Sequence, residues 1–262
     1  MHKLNPTDFI TITDKRHGAS WIVGNVLTLK PLTWKDKFAK ILGINVRTEH
    51  YDHVCSSRKV VKDQYLNAEA GPGFYGFDLW TEIKETIKEL IPKGFTLYGE
   101  AVGFLPNGQA IQKGYHYGCD PGKYEIFVYR ITFTNEDGKT FELSDAQIRE
   151  FCKERGLNIK KEFYAGLAKD LFPEIPLGEH WHENWLAKLE KQTQFNLNDA
   201  MCPANNLEVP AEGVVIRVEK LREFDAYKLK NYKFFEWETK QLDAGVIDIE
   251  SDEAEGEENA EA

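Results

Sequence analysis

The 262-residue chain has no apolar run long enough to cross a membrane, and its N-terminus lacks the charged and apolar regions of a signal peptide. Its four cysteines are widely spaced and form no Cys-x-x-Cys pair, which argues against a zinc ribbon and against a disulfide framework. Unpaired cysteines are typical of a reducing compartment. We therefore expect a cytoplasmic globular protein with no membrane partner.

Basic residues are in the minority, with 33 Lys and Arg against 43 Asp and Glu and a formal net charge of −10. The segment "DIESDEAEGEENAEA" (Asp248–Ala262) holds eight of the acidic residues and no basic one, so the rest of the chain is nearly neutral. It also lacks aromatic residues and has too little apolar surface to fold. We predict a folded domain at residues 1–247, which can carry a local basic groove, and a disordered acidic tail at residues 248–262.

Five stretches have the alternating or continuous apolar pattern of β-strands. They are Phe9–Thr13, Ser20–Leu29, Thr96–Phe104, Tyr124–Phe133 and Gly213–Glu219. The Asp-Gly pair within Asn135–Thr140 predicts a hairpin turn. In "YKLKNYKF" (Tyr227–Phe234), Lys228 and Lys230 share one strand face because strand side chains have a period of two.

Five other segments have the pattern of helices. They are Trp34–Leu42, Asp78–Gly94, Ser144–Gly156, Lys161–Leu171 and Glu183–Gln192. Thr33 and Ser144 are placed to cap the first and the third of these. The sequence shows no internal repeat and no flexible linker, so the interspersed strands and helices predict an α+β fold with antiparallel sheets.

Five short motifs follow one another at or near strand ends. They are "KRHG" (Lys15–Gly18), "GEAVG" (Gly99–Gly103), "EIFVYRI" (Glu125–Ile131), "EGVV" (Glu212–Val215) and "KLK" (Lys228–Lys230). Taken singly, each has an ordinary interpretation, such as an exposed strand-end lysine, a solvated glutamate, a core strand or an edge-strand face. Their order along the chain is more informative than any one of them.

In this order the motifs resemble those of the covalent nucleotidyltransferases, which include the ATP-dependent ligases and the capping enzymes. The segment "CSSRK" (Cys55–Lys59) resembles the arginine-bearing motif that follows the first one in that superfamily. Together with "QKGYHYG" (Gln112–Gly118) and "FFEWETKQLDAG" (Phe234–Gly245), the chain is most similar to RNA ligases of the Deinococcus type. The resemblance extends over most of the chain.

Two departures from that pattern stand out. Only fourteen residues precede Lys15, where the Deinococcus-type enzymes carry an extra module, and Lys59 stands where an asparagine often follows the arginine. Within the superfamily, His17 stands where many DNA ligases and some RNA ligases have aspartate.

The resemblance implies a ligase-type nucleotidyltransferase domain, with two packed, mainly antiparallel sheets and flanking helices around a nucleotide cleft. It implies an ATP-dependent RNA ligase that forms a lysyl-AMP, transfers AMP to an RNA 5′-phosphate and seals with a 3′-hydroxyl. ATP and Mg²⁺ would be the cofactors, with Mn²⁺ as a substitute. The partner would be RNA with 5′-phosphate and 3′-hydroxyl ends, in a nicked duplex or an open strand, as in RNA repair.

The resemblance also implies a role for each motif residue. Lys15 would bond to AMP from a stiff strand end, and Gly18 would let the backbone turn close to the nucleotide. Lys228 and Lys230 would grip phosphate oxygens and stabilise the charge that develops there. Glu212 would coordinate or position Mg²⁺, which prefers oxygen ligands.

The remaining motif residues would contact the nucleoside or the RNA. Glu100 would contact the ribose, and Arg58 the ribose or the phosphates of the nucleotide or the RNA. Tyr129 would stack on adenine, and burial as a core tyrosine is the alternative. His17 would position the substrate.

Two other functions remain open. A GTP-dependent capping-type guanylyltransferase uses the same scaffold, but the chain continues only briefly past Lys230, too short a stretch for the C-terminal domain that capping enzymes need. The other is a catalytically silent ligase-like RNA-binding module, and the intact set of lysines and acids argues against it.

Two further stretches are assigned ordinary structural roles. "GEHWHENW" (Gly178–Trp185) places His180 and His182 two positions apart, and on a helix that spacing points the rings to different sides. We therefore predict a surface helix there and no metal site. "AEAGPGFYG" (Ala68–Gly76) predicts a mobile loop, a candidate for part of the RNA groove.

Deleting the acidic tail, residues 248–262, should leave the thermal midpoint almost unchanged, because a solvated segment contributes no packing. The deletion should also tighten RNA binding modestly at low salt, since it removes eight negative charges that repel phosphate. Thermal melts and RNA titrations at two salt concentrations would measure both effects. A clear loss of stability would show that the tail is docked on the domain.

Overall fold

The computed structural model describes residues 3–30, 32–58, 61–62, 77–221 and 223–243. The predicted acidic tail at 248–262 and the predicted loop at 68–76 lie outside the described residues. Within the described ranges the chain forms an α+β fold with two antiparallel sheets, which confirms the predicted fold class. None of the helices described has both the length and the apolar character of a membrane span.

The smaller sheet has four strands in the order β10-β9-β1-β8, and every neighbouring pair is antiparallel. These strands are β1 (Phe9–Lys15), β8 (Glu162–Leu167), β9 (Gly213–Glu219) and β10 (Phe224–Lys230). The larger sheet has six strands in the order β4-β3-β2-β5-β6-β7. They are β2 (Ala19–Leu29), β3 (Glu49–Ser56), β4 (Val61–Lys62), β5 (Phe95–Gly103), β6 (Tyr124–Thr134) and β7 (Thr140–Glu142).

Helices flank both sheets. They are α1 (Trp34–Ile41), α2 (Leu79–Ile87), α3 (Asp145–Arg155), α4 (Ala168–Leu171), α5 (Trp181–Leu189) and α6 (Tyr232–Asp243). The caps predicted at the starts of α1 and α3 are confirmed, since Thr33 and Ser144 both form capping boxes.

Each sheet buries one face against helices and turns its other face towards the second sheet. In the four-stranded sheet, Ile10, Ile12 and Ile216 belong to a core cluster with Trp185 of α5. In the six-stranded sheet, Trp21, Val23 and Leu97 belong to a second core cluster. This cluster also contains Ile83 of α2 and Ile148 of α3. Because side chains alternate along a strand, the residues between these core positions line the space between the sheets.

Two arginines, one from each sheet, approach the Phe224 ring at one end of the space between the sheets. The Arg217 guanidinium of β9 lies 3.9 Å from the ring centre of Phe224 and donates to the Leu143 carbonyl next to β7. Arg130 of β6 approaches the same phenyl ring at 5.7 Å and pairs with Glu142 of β7. The opposite end of the smaller sheet, where β1 ends at Lys15, is the end that carries the predicted site residues.

The sequence-based prediction was wrong for one helix. Residues 161–171 form β8 followed by the short α4, because Glu162–Leu167 pair with β1 along its free edge. Tertiary pairing overrides the helical pattern there. The sequence analysis also missed β3, whose residues are mostly polar and half-buried, and α6, which begins within the segment interpreted as an extension of β10.

The packing of the six-stranded sheet generates a prediction about Gly99. A Cβ at Gly99 would lie 2.1 Å from the Trp21 ring, which is fully buried. Gly99→Ala should therefore destabilise the fold by about 1–3 kcal/mol, as overpacking of a core does. The matched control is Gly178→Ala, where a Cβ meets no atom within 4 Å and should change stability by less than about 0.5 kcal/mol. Urea unfolding of both variants would measure the difference, and equal stabilities would contradict this account.

Candidate functional site

Two lysines of the predicted site lie in one row across three adjacent strands. Lys15 of β1 is directly opposite Gly213 of β9, and Gly213 is directly opposite Lys230 of β10. Directly opposed residues point to the same face, so both lysine side chains project from the face that looks towards the six-stranded sheet. Gly213 adopts a φ of 133°, and a Cβ there would lie 2.0 Å from the Leu229 carbonyl oxygen. Only glycine fits between these two strands.

Lys228 completes the lysine group on the same face. It lies two residues before Lys230 on β10 and is opposite Val215 of β9. Both β10 lysines are exposed, and the Lys230 ammonium donates to the two carboxylate oxygens of Glu238 in α6 at 2.8 and 2.6 Å. A phosphate at Lys230 therefore has to compete with a carboxylate from this helix.

Glu212 provides a buried negative charge directly beside Lys15. Its side chain is 3% exposed, and one carboxylate oxygen, Oε1, accepts a hydrogen bond from the Lys15 ammonium. The other oxygen, Oε2, is buried and has no hydrogen-bond partner among the described residues. A buried carboxylate oxygen without a partner is costly, so this atom is open to a cation or to a ligand donor.

The facing wall of the cleft comes from the six-stranded sheet. Ser20 of β2, Glu100 of β5 and Phe127 of β6 are in cross-strand register and share one face. Tyr129 lies in a β-bulge, where β6 carries one residue more than β5, and a bulge re-aims the side chain. Tyr129 is 36% exposed as a whole residue, so it is not a buried core tyrosine.

The "KRHG" turn is held closely against this wall. A Cβ at Gly18 would lie 2.2 Å from the Ala101 carbonyl oxygen of β5, so the turn requires glycine. The Gln112 amide donates to the Gly18 carbonyl at 3.0 Å, and the His17 N–H donates to the Tyr117 hydroxyl at 2.8 Å. The "QKGYHYG" segment thus packs behind the turn. Burial, the largest cause, raises the pKa of Tyr117 well above its ordinary value.

His17 lies among aromatic rings. Its imidazole meets the rings of Tyr115 and Phe234 edge-on, with centroids 5.2 Å away in both cases. Trp237 of α6 is the next ring, at 6.3 Å. His17 therefore links the turn that follows Lys15 to the C-terminal helix.

Arg58 lies at the end of a strand of the six-stranded sheet, and the two histidines lie at the start of α5. Arg58 is exposed just after β3, near the end of the six-stranded sheet that also carries Ser20. His182 accepts a hydrogen bond from the Leu4 backbone through Nδ1, and His180 is the N-cap residue of α5. No group of three or more potential metal ligands occurs among the described residues.

The sequence analysis missed Lys160, which lies two residues before the start of β8 at Glu162. Lys160 is only 5% exposed, and its ammonium lies 3.8 Å from a carboxylate oxygen of Glu100 and 5.0 Å from the centre of the Tyr129 ring. Burial lowers the pKa of Lys160; the Glu100 charge opposes this effect and the Lys15 charge adds to it. Lys160 lies one residue before the helix predicted at Lys161–Leu171 and belongs to none of the motifs, so no local signal pointed to it.

Arg16 and Asp14 were also missed. The Arg16 guanidinium stacks on the Phe127 ring at 3.7 Å, and its Nε donates to Asp14 at 2.9 Å. The second Asp14 oxygen accepts from the Asn196 amide at 2.7 Å. The residues on both sides of Lys15 are thus fixed, one by the opposite sheet and the other by a neighbouring loop.

The lowered pKa of Lys160 gives a prediction for stability against pH. In the folded protein the pKa of Lys160 lies below its ordinary value of 10.5, whereas in the unfolded chain this pKa is near 10.5. Between these two values the unfolded state binds more protons, so this lysine makes the free energy of unfolding rise with pH. Lys160→Met should remove that rise, whose slope is at most about 1.4 kcal/mol per pH unit.

Urea unfolding from about pH 7 to about pH 10 would measure this slope for the wild type and for Lys160→Met. The matched control is Lys161→Met, because the neighbouring Lys161 is exposed. The control should keep the wild-type slope. Equal slopes for the two variants would contradict the prediction.

Comparisons with known sequences gave no match, either to a protein-family description or to a curated protein. Solved structures do match, and they show that the chain is similar in structure to RNA ligases, among them an archaeal ATP-dependent one. A Naegleria gruberi RNA ligase variant solved with ATP and Mn is 14% identical, with a TM-score of 0.47, covering 89% of this chain and 52% of that one. The same ligase solved with PPi is 11% identical, with the same TM-score and the same coverage of both chains.

The archaeal ATP-dependent RNA ligase is 12% identical, with a TM-score of 0.43, covering 88% of this chain and 44% of that one. The chain therefore spans about half the length of the solved ligases that it matches. At this level of identity the likeness concerns the arrangement of the chain, and no residue role follows from it.

Proposed function

We propose that this chain is the nucleotidyltransferase domain of an ATP-dependent RNA ligase, with Lys15 as the residue that carries AMP. The observation that supports this best is the row formed by Lys15, Gly213 and Lys230, with the buried Glu212 against Lys15. The row puts a nucleophilic amine, further cations and a carboxylate on one cleft wall. These are the groups that nucleotidyl transfer requires.

In the first step the Lys15 amine would attack the α-phosphorus of ATP. A P–N bond forms, the bond to the bridging oxygen breaks, and pyrophosphate leaves. Attack requires the neutral amine, and the Glu212 carboxylate in contact with Nζ is the nearest acceptor for the departing proton. β1 holds the nucleophile in place because both of its edges are paired, one with β8 and the other with β9.

The phosphates would lie along the β10 lysines. Lys228 and Lys230 project from the same face as Lys15 and would neutralise charge on the reacting phosphate and on the leaving pyrophosphate. The triphosphate would share Lys230 with Glu238 or replace it, since this ammonium already donates to the Glu238 carboxylate.

The nucleoside would lie against the six-stranded sheet. The Glu100 carboxylate is 12% exposed on the cleft face, where it would accept hydrogen bonds from the ribose hydroxyls. The half-exposed ring of Tyr129 would stack on adenine. Arg58 would contact the ribose or the phosphates from the rim, and His17 would act through the turn that it anchors and position the substrate.

The residues present fit a hard divalent cation, Mg²⁺ or Mn²⁺, at Glu212. Its Oε2 is a buried oxygen without a hydrogen-bond partner in the described part of the chain. Such cations are often held by one or two carboxylates together with substrate phosphates, so a complete protein cage is not required. When bound, the cation would offset phosphate charge.

The later steps would use RNA. The 5′-phosphate of one end would attack the lysyl-AMP, which releases Lys15 and gives an RNA-adenylate. The 3′-hydroxyl of the other end would then displace AMP and form the phosphodiester bond. We propose RNA ends of a nick or of an open strand as the substrate, RNA repair as the setting, residues 1–247 as the domain and residues 248–262 as its acidic tail.

The decisive experiment uses labelled ATP or GTP and denaturing electrophoresis. Lys15→Ala should abolish self-adenylation, because no other atom carries the nucleotide, while sealing of pre-adenylated RNA should survive. Lys230→Ala keeps the nucleophile and should reduce adenylation by about 100-fold or more, as loss of a charge-stabilising group does. Glu212→Ala should weaken the metal-dependent steps.

The matched control is Lys220→Ala. Lys220 follows the far end of β9 from Gly213 and pairs with Asp225, so adenylation should stay at the wild-type level. Labelling by GTP in place of ATP would favour the capping-type reaction, and no label from either would favour a silent RNA-binding module. Full labelling of Lys15→Ala by ATP would refute the assignment.

A further inference from the structure

Lys160 is a buried lysine of the cleft to which neither the sequence analysis nor the proposed reaction assigns a task. The backbone on either side of Lys160 is hydrogen-bonded, before it to the six-stranded sheet and after it to the four-stranded sheet. The Val128 N–H of β6 donates to the Asn158 carbonyl at 2.9 Å, and Ile159 forms a parallel bridge with Val128. On the other side, the Asp14 N–H of β1 donates to the Lys161 carbonyl at 2.9 Å. Lys160 is thus held where the two sheets are joined, on the rigid support that a precisely placed side chain needs.

The Lys160 side chain crosses from the segment before β8 to the wall of the six-stranded sheet. Its ammonium lies 3.8 Å from Oε2 of Glu100, a distance of charge attraction longer than a normal hydrogen bond. It lies 5.0 Å from the centre of the Tyr129 ring, within the range of a cation–π contact. The Lys160 ammonium therefore lies close to both the Glu100 carboxylate and the Tyr129 ring, the two groups that would face the nucleoside.

Burial of this charge is costly, and the surroundings offset only part of the cost. Burial lowers the pKa of Lys160 in spite of the neighbouring Glu100 carboxylate, which shows that desolvation is the larger effect. An apolar side chain of similar length would fill the same space without this penalty. The charge of Lys160 is therefore explained by the groups that it faces, the Glu100 carboxylate and the Tyr129 ring.

We propose that Lys160 is a positioning residue of the nucleotide site, which holds the Glu100 carboxylate in place on the wall that carries the Tyr129 ring, where the nucleoside would bind. The inference rests on the proposed function and extends it. Loss of Lys160 would leave the Lys15 row intact, because that row is built from β1, β9 and β10. The effect should therefore appear in nucleotide affinity more than in the maximum rate of adenylation.

The experiment is a double-mutant cycle with Glu100. The rate of self-adenylation is measured against ATP concentration for the wild type, Lys160→Met, Glu100→Gln and the double variant. Lys160→Met should raise the half-saturating ATP concentration by about 10-fold, with a much smaller change in the maximum rate. In the Glu100→Gln background the same substitution should have less than about a 2-fold effect, because its target is already lost.

Two controls separate positioning from folding. Lys161→Met changes the adjacent exposed lysine and should match the wild type. Lys160→Gln keeps a polar group without the charge, and it replaces Lys160→Met in the cycle if the methionine variant does not fold. A thermal midpoint measured for each variant ensures that folded protein is compared.

The outcomes are distinct. Additive effects of Lys160→Met and Glu100→Gln, or a Lys160→Met protein with wild-type ATP dependence, would overturn the role of Lys160 while the proposed function stands. A wild type that acquires no label from ATP would instead overturn the proposed function, and the role of Lys160 with it. A coupled pair, with the main change in ATP affinity, supports the inference.

Discussion

The contact between the Lys15 ammonium and the buried Glu212 carboxylate is the interaction on which the cleft depends. Glu212 is 3% exposed at its side chain, and a carboxylate buried to that extent is tolerated only next to a positive charge. Gly213, the residue after Glu212, lets β9 and β10 approach closely and lies directly opposite Lys15. The pair leaves the second, buried carboxylate oxygen of Glu212 without a hydrogen-bond partner among the described residues.

The two sheets divide the chemistry between them. The four-stranded sheet contributes cations in a row, and the six-stranded sheet contributes the carboxylate of Glu100 and an aromatic surface. Two arginines, one from each sheet, approach the Phe224 ring at one end of the space between them. At the other end, Arg16 and Lys160, which flank strands of the smaller sheet, contact Phe127 and Glu100 of the larger one. The proposed nucleotide site uses groups from both sheets.

Much of the fold was predictable because its signals are local. The apolar pattern of Phe9–Thr13 and Gly213–Glu219, and the capping box at Ser144, depend on neighbouring residues alone. The helix predicted at Lys161–Leu171 was wrong over β8, because the strand character of β8 comes from pairing with β1, which is distant in sequence. The polar strand β3 was missed for a related reason, since its half-buried residues carry no apolar alternation.

The sequence by itself determined the order in which the motif residues occur along the chain. Its motifs predict Lys15, Gly18, Glu100, Glu212 and the β10 lysines as site residues. Only the tertiary structure decided which side chains these residues meet: Lys15 meets Glu212, and Glu100 meets Lys160. The physical reason is that strand register and sheet packing bring together residues about 60 to 200 positions apart, as with Lys15 and Glu212. The burial that perturbs Lys160 arises only once both sheets are in place.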